Sequence, residues 1–395
     1  MKSIKEINFK GKKVIVRVDF NVPLNSDLEV TDNTRIKGAL PTINKLINDG
    51  AAIILMSHLG RPKGEKKAEF SLQPVAKELS ALLERPIKFV DEVLTDSVKK
   101  TASELEGGEI LLLENLRFCP GETKGDEEMA KELASLADVY INDAFGTAHR
   151  RHASTAVIAD YFTDNKYFGF LMEHEIVNLE RALNTKENPY TAVIGGAKVS
   201  SKIDIIRNLI PKVDNMIIGG GMSFTFIKAM GGNIGGSLYE ENKLDLAKEI
   251  LNEMILAGVN IYLPTDVIAA DKFDNEANIK TVDANDIPDG WMGLDIGPES
   301  LKRFATAVKD SRMVLWNGPM GVFEMDNFSK GTKGVAIAVA AASTSGAFTA
   351  IGGGDSVAAI NKYKLGDMLT YVSTGGGAML EYLEGKVLPG IKAIK

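Results

Sequence analysis

Short runs of aliphatic and β-branched residues alternate with amphipathic stretches along the whole chain, a pattern that predicts parallel sheets covered by helices on both faces. In the first half the pattern predicts strands at 14–18, 51–56, 87–90, 110–113 and 139–142, with helices at 35–48, 72–83 and 126–136 between them. Gly50 follows the first of these helices as its expected C-cap. A longer helical pattern covers 173–183 and precedes Asn188-Pro189; it is read as a rigid lever joining two domains. A second alternation places strands at 191–194, 216–218, 260–263, 313–316, 348–351 and 370–372, with helices at 202–209, 242–256, 298–308, 333–341, 356–363 and 378–383. Open α/β sheets bind ligands outside the carboxyl ends of their strands. Chemistry is therefore expected in the segments that follow the predicted strands.

Length and composition change this picture little. A chain of 395 residues with 45% hydrophobic content has material for two domains of ordinary size. A formal net charge of -7 and a pI near 5.4 point away from nucleic acid and from a membrane surface as partners. Cys119 is the single cysteine, so neither a disulfide framework nor a cysteine metal cluster is expected. The N-terminus mixes lysines with apolar residues, unlike a signal peptide, and the apolar run at 335–342 is too short to span a bilayer. These features predict a cytoplasmic chain.

Arginine and glycine divide the sequence. Arg17, Arg35, Arg61, Arg85, Arg117, Arg150 and Arg151 all precede residue 152, whereas 27 of the 38 glycines begin at Gly195 and include runs at 195–196, 219–221, 352–354 and 375–377. Arginine grips phosphate or carboxylate with a planar fork, while glycine lets backbone N–H groups approach a phosphate closely. A chain with both is suited to moving a phosphoryl group between two bound molecules. After the first strand, Asp19 and Asn21 share one side and fit either hydrogen bonds to a hydroxylated ligand or the capping of a turn. His58 and Arg61 emerge from the second strand, and Arg35, Arg117 and Arg150 also occupy strand ends or helix starts. Any one of these cations fits a surface ion pair; their recurrence at one predicted sheet edge favours an anion site. In the second half Gly195-Gly196-Ala197-Lys198 links a strand to a helix, with Lys202 four residues on, an arrangement that fits a polyphosphate or a tight turn with two solvated lysines. Gly352-Gly353-Gly354-Asp355-Ser356 repeats the strand-to-helix turn, and Asp355 fits a magnesium ligand or a helix cap. Gly375-Gly376-Gly377 offers N–H donors before the last predicted helix. The sequence contains no G-x-x-x-x-G-K-[ST], no G-x-G-x-x-G and no H-R-D, so phosphoryl chemistry requires another scaffold.

Ten stretches together carry a specific resemblance: RVDFNVP at 17–23, SHLGRP at 57–62, ENLRF at 114–118, DAFGTAHR at 143–150, GGAKVSSKI at 195–203, GGGMSFTF at 219–226, GLDIGPES at 293–300, WNGPMGVFE at 316–324, IGGGDS at 351–356 and STGGGAMLE at 373–381. In these the chain resembles the phosphoglycerate kinases over nearly its whole length. The resemblance implies two similar-sized, Rossmann-like α/β domains with parallel sheets covered by helices. It assigns 1–170 to 3-phosphoglycerate, with a tail from about 385 to 395 packing back on that domain, 171–187 to a hinge helix and 188–384 to the nucleotide. It implies reversible phosphoryl transfer from 1,3-bisphosphoglycerate to ADP, giving 3-phosphoglycerate and MgATP, by a cytoplasmic monomer. By position in the motifs, Asp19, Asn21, Arg35, His58, Arg61, Arg117 and Arg150 would hold the glycerate ligand. Lys198, Lys202, Asn317 and the turn of Gly352, Gly353, Gly354, Asp355 and Ser356 would meet the nucleotide phosphates, with Mg2+ on Asp355. Gly219, Gly220, Gly293, Leu294 and Pro319 would line an adenosine slot, with Glu324 reaching the ribose. Arg35, Lys198 and the N–H donors near Gly376 would stabilise the group in flight. Ser201 stands where many relatives carry Asp. A nucleotide-dependent oxidoreductase or a non-catalytic nucleotide binder on this fold would be the rival readings.

Overall fold

Strands that must be buried on both faces need nearly continuous apolar sequence, and the first half supplies it. β1 (Lys13–Val18), α1 (Thr34–Asp49), β2 (Ala52–Met56), α2 (Gln73–Leu83), β3 (Lys88–Val90), α3 (Asp96–Ser103), β4 (Ile110–Leu113), α4 (Pro120–Lys124), α5 (Glu127–Ala134), β5 (Val139–Asp143) and β6 (Lys166–Phe168) follow in chain order. The strands form one parallel six-stranded sheet in the order β3-β4-β2-β1-β5-β6. Val14, Val16, Ile53 and Leu55 pack against Ile36, Ile43 and Leu46 of α1. Gly50 closes α1 at φ 75°, its N–H bonded to Ile47 O. At the end of β5 the Asp143 Oδ1 accepts the N–H groups of Leu171 (2.9 Å) and Met172 (3.1 Å), capping α6 (Phe170–Asn184).

The computed structural model describes residues 2–395. Its chain divides into two units, one running to Val177 and including Lys386–Lys395, the other Asn178–Gly385. Helix α6 therefore begins in the first and ends in the second.

The second unit follows the same logic with β7 (Tyr190–Ile194), α7 (Ile203–Leu209), β8 (Asn215–Ile218), α8 (Met222–Ala229), β9 (Asn233–Ile234), α9 (Leu244–Leu256), β10 (Asn260–Tyr262), β11 (Asp266–Ala270), β12 (Ile279–Asp283), β13 (Asp286–Ile287), β14 (Met292–Ile296), α10 (Pro298–Lys309), β15 (Met313–Asn317), α11 (Lys330–Thr344), β16 (Phe348–Gly352), α12 (Gly354–Tyr363), β17 (Tyr371–Val372) and α13 (Gly377–Leu383). Its parallel sheet runs β10-β8-β7-β15-β16-β17. A short last helix, α14 (Pro389–Lys392), belongs to the first unit, where Gly390 N–H donates to Ala148 O at 2.8 Å.

Besides the short elements β6, α4, β9, β13 and α14, an additional sheet and two helices depart from the sequence expectation. The second unit carries an additional sheet, β12-β11-β14, whose strands pair antiparallel, with a register shift between Ile268 and Ala269. Exposed residues alternate along β12, and β14 contains Gly293, so neither reads as a buried parallel strand. Helix α8 was not expected because every residue but Lys228 is buried, which removes the polar face that gives a helix its period. Helix α3 escaped notice because only Val98 and Ala102 are buried in it; Thr95 caps its start.

In both sheets the chain moves outward from the first strand in one direction and then crosses to build the other side, so the switch lies between β1 and β5 in one unit and between β7 and β15 in the other. Just beyond β7 and β15 the backbones nearly touch. Gly195 N–H donates to Asn317 O at 2.8 Å, and a Cβ on Gly195 would meet Pro319 O and lie 2.6 Å from Gly318 O. Gly195→Ala should thus destabilise the second unit by about 1–3 kcal/mol, the usual cost of forcing atoms into a packed site. Trp291 and Trp316 both lie in that unit, so the urea midpoint of tryptophan fluorescence reads the effect; an unchanged midpoint would contradict the close packing described.

Candidate functional site

In the first unit the chemistry begins inside β1. Arg17 is fully buried: its Nε donates to Ser154 Oγ (2.9 Å), its Nη1 to Val18 O, and its Nη2 lies 3.1 Å from His58 Nδ1. A guanidinium has no acceptor and stays protonated, so the Nδ1 of His58 must accept. His58 is then a neutral imidazole with its hydrogen on Nε2. Burial, and after it the positive charges of Arg17, Arg117, Arg35 and Arg150, push its pKa well below 6.5, which agrees with that state.

Around it the loops after the strands bring cations together. Arg61, Arg117 and Arg150 line one cavity of about 500 Å³, together with Lys63, Lys124 and His152, and no carboxylate lines it. Arg117 is buried and donates Nη1 to Gly60 O at 2.7 Å, while its Nε and Nη2 have no partner in the structure. A buried donor without an acceptor costs about 1–3 kcal/mol, more when charged, so two on one side chain mark a place for an anion. Burial, with Arg17 and Arg150, pushes the Arg117 pKa down to about 10. Asp19 accepts from Arg35 Nη1 and comes within 3.9 Å of His58 Nδ1. Asn21 Oδ1 accepts the Gly60 N–H at 2.8 Å, so that side chain holds the 57–62 loop in place. The pair Asp19–Arg35 and Asn21 stand outside the lining of the arginine cavity.

The second unit uses backbone and apolar surface instead. A cavity of about 480 Å³ is bounded by Gly220, Gly221, Phe224, Leu238, Gly293, Leu294, Pro319, Val322, Glu324 and Asp355, among others. Gly220 sits at φ 68°, and a Cβ there would lie 2.7 Å from Gly196 N and 2.8 Å from Pro319 O. A Cβ on Gly293 would enter the Phe224 ring. Glycine at these positions keeps the slot open and its walls close. Gly219 does not line the slot; it packs on Met320.

Beside the slot a chain of hydrogen bonds braces the strand ends. Lys202 Nζ donates to Asn317 Oδ1, Asn317 Nδ2 donates to Gly352 O (2.6 Å), and buried Ser356 Oγ accepts the Gly318 N–H (2.6 Å). Burial lowers the pKa of Lys202, with Asp355 and Glu384 acting the other way. Lys198 is exposed ahead of the turn Val199–Ser201, and the Ser201 hydroxyl donates to its carbonyl at 2.8 Å. Gly353 stands at φ 92°, Gly354 opens α12, and Asp355 is exposed in that helix's first turn. Gly376, at φ 51°, is the residue before α13.

The sequence marks Arg61, Arg117 and Arg150 of one cavity and Gly220, Gly293, Leu294, Pro319, Glu324 and Asp355 of the other, but not most of the residues that support them. Arg17 was signalled by a charge inside the apolar run Val14–Val18, whereas Glu122 and Ser154, both fully buried, stand in segments with no such signal. Phe224, Leu238 and Val322 had no chemical mark at all; only the fold puts them around the slot.

The neutral state of His58 has a consequence for stability. Its folded pKa is depressed, so its contribution is present above the unfolded value of 6.5 and is lost as pH falls below it, because the unfolded chain then binds the extra proton. Between pH 7 and 5 the first unit should lose stability with a slope of at most about 1.4 kcal/mol per pH unit from this group. In His58→Gln that part of the slope should vanish, as read by amide hydrogen exchange in β1 and β2; an identical slope would show that His58 takes up its proton in the fold as readily as in the unfolded chain.

The family model described as phosphoglycerate kinase matches residues 4–386. A phosphoglycerate kinase of Thermosipho africanus is 54% identical over 99% of this chain and 97% of its own length, and that of Porphyromonas gingivalis 51% identical over the full length of both. Among solved structures, the phosphoglycerate kinase of Coxiella burnetii has a TM-score of 0.91 at 41% identity, covering 99% of this chain and 98% of its own. That of Pyrococcus horikoshii has a TM-score of 0.83 at 31% identity, covering 100% and 98%. With the arginine cavity on one unit and the glycine-walled slot on the other, this chain belongs to the phosphoglycerate kinase family.

Proposed function

We propose that the chain catalyses reversible transfer of a phosphoryl group from 1,3-bisphosphoglycerate to ADP, giving 3-phosphoglycerate and ATP, as a cytoplasmic monomer. The observation that carries this reading is the buried guanidinium of Arg117 with two unpartnered nitrogens, in a cavity lined by cations and no carboxylate. Such a cavity suits the ionised phosphate of a small organic acid. Arg61, Arg117 and Arg150 take its phosphate, and His58 Nε2–H with Asp19, Asn21 and Arg35 takes its carboxylate end and hydroxyl. In the second unit the slot takes the adenosine: Gly220, Gly293, Leu294 and Pro319 contact the base, and Glu324 the ribose. Lys198, Lys202, Asn317 and the 352–356 turn take the phosphates.

The acceptor oxygen belongs to an ionised phosphate or carboxylate, so transfer needs no general base. Catalysis reduces to alignment and to neutralising the equatorial oxygens of the moving group. Arg35 supplies charge from the glycerate side, Lys198 from the nucleotide side, and N–H donors near Gly376 complete the set. Because these groups belong to different units, the reaction requires the units to bring the reacting atoms within about 3–3.5 Å of each other. Helix α6, which passes from one unit into the other, and the glycines at 375–377 are the natural places to absorb that motion.

Magnesium fits the residues present. Asp355 lines the slot as an exposed carboxylate, and among the described residues no group of three or more His, Cys, Asp or Glu forms a protein cage. One carboxylate with phosphate oxygens and water is the usual holding of Mg2+, which when bound offsets phosphate charge.

A coupled assay with 3-phosphoglycerate and MgATP tests the activity directly, and absence of turnover would refute it. Arg35→Ala and Lys198→Ala should each lower kcat by about 100- to 1000-fold, the usual loss for one preorganised donor, with nucleotide affinity changed far less. Near-normal kcat in either would remove that residue from the transfer step. Asp355→Asn should raise the Mg2+ concentration needed for half-maximal rate by about 10-fold or more, since a neutral amide is a poorer ligand for a hard cation. Unchanged magnesium dependence would reassign the ion.

A further inference from the structure

Buried cations persist only where acceptors or a counter-charge replace their lost hydration. All three hydrogen-bond partners of Arg17 are neutral: Ser154 Oγ, Val18 O and His58 Nδ1. The negative charge stands one residue farther away. Ser154, fully buried, accepts from Arg17 and donates its hydroxyl to Glu122 Oε1 at 2.7 Å, while its N–H donates to Glu122 Oε2 at 3.0 Å. Tyr140, also fully buried, fixes Ser154 from the other side by donating to its carbonyl at 2.9 Å. Burial would raise the Glu122 carboxyl, but His152, Arg17 and Ser154 outweigh burial and hold it below its ordinary value. His152 Nδ1 lies 3.6 Å from Oε1.

Every hydrogen along this line has one possible direction. A carboxylate only accepts, so Ser154 must turn its hydroxyl hydrogen to Glu122 and offer its lone pair to Arg17. Arg17 then holds its fork with Nη2 on His58 Nδ1, which leaves the hydrogen of the imidazole on Nε2. We propose that Glu122 is a positioning residue for the anion site: acting through Ser154 and Arg17, it sets His58 as the Nε2–H tautomer, a neutral donor for the glycerate ligand. The inference rests on the reading that this ligand binds in the first unit.

A simpler electrostatic role makes the opposite prediction. If Glu122 acted only through its charge, removing that charge from beneath an anion site would tighten anion binding. Glu122→Gln keeps the shape but replaces one acceptor oxygen by an NH₂ group, which would face a Ser154 donor. Ser154 must then turn, Arg17 loses its register, and binding weakens.

The first measurement needs no variant. In the ligand-free wild-type chain at pH 7, ¹⁵N NMR of the imidazole ring, assigned by the loss of its signals in His58→Gln, should show Nε2 protonated and Nδ1 bare. An imidazolium or an Nδ1–H ring would overturn the proposal. Glu122→Gln should then raise KM for 3-phosphoglycerate about 10-fold or more, the scale of a lost hydrogen bond to a charged group. Its kcat and its KM for MgATP should stay within about threefold, as expected for a change confined to ground-state binding of one substrate. The His58 signals of the variant should report mixed tautomers. Ser154→Ala, a smaller change that leaves Glu122 in place, should move the same quantities in the same direction and serves if Glu122→Gln does not fold. Wild-type chain that neither binds nor phosphorylates 3-phosphoglycerate would refute the underlying function. Wild-type turnover with an unchanged or lowered KM for 3-phosphoglycerate in the variants would refute the relay alone.

Discussion

A strand covered on both faces has nowhere along its length to place a solvated polar group, so its chemistry is confined to where it ends. The central strands of both parallel sheets show this constraint, and Arg17, buried inside β1, is held by protein partners in place of solvent. In the first, β2 and β4 are buried throughout, and the residues that follow them, Ser57-His58 and Glu114-Asn115, carry the first polar side chains. In the second, β7, β15 and β16 are buried throughout and run into Gly195, Gly318 and Gly353. Ligand groups can approach only there, and the topological switch in each sheet opens a crevice at that edge.

The same constraint is met by different chemistry in the two units. The first lines its cavity with charged side chains, and long cations packed together need something beneath them to fix their direction. Beneath the cavity Arg17 is held by Ser154, and Ser154 by Glu122, with no carboxylate among the cavity's lining residues. The second walls its slot with glycine backbone and apolar side chains, and its need is for closeness rather than direction. Gly195 and Gly318 let two loops nearly touch, while Asn317, Lys202 and Ser356 tie those loops together. Substitution therefore acts differently in the two places. In the first unit the loss is of orientation, and in the second of space.

How much of this was legible depended on whether a residue's role shows in its own chemistry. The strands expected at 14–18, 51–56, 110–113 and 139–142 were visible because burial on both faces forces nearly unbroken apolar sequence. Cations and glycines after strands stood out because nothing in the sheet itself calls for them. Helix α8 and the antiparallel strands around the slot were not visible, since full burial erases a helix's periodicity and glycine erases a strand's. Glu122 was illegible for another reason: in Pro120–Lys124 a glutamate reads as an ordinary surface residue of a first helical turn, and only the return of the chain at 152–154 buries it.

Burial among these cations also bears on why position 58 holds a histidine rather than another arginine. Arg17 and Arg117 are already buried within reach of one another's fields, and both lower the pKa of His58 and keep it neutral. A third full charge at that point would add repulsion in the absence of ligand, with the Asp19 carboxylate, 3.9 Å from His58 Nδ1 and beyond direct hydrogen-bond reach, as a counter-charge. A neutral Nε2–H supplies the direction of a hydrogen bond without that cost. The permanent charge of the cavity thus lies in the arginines that line it, Arg61, Arg117 and Arg150, while His58 is held against Arg17 as a neutral ring.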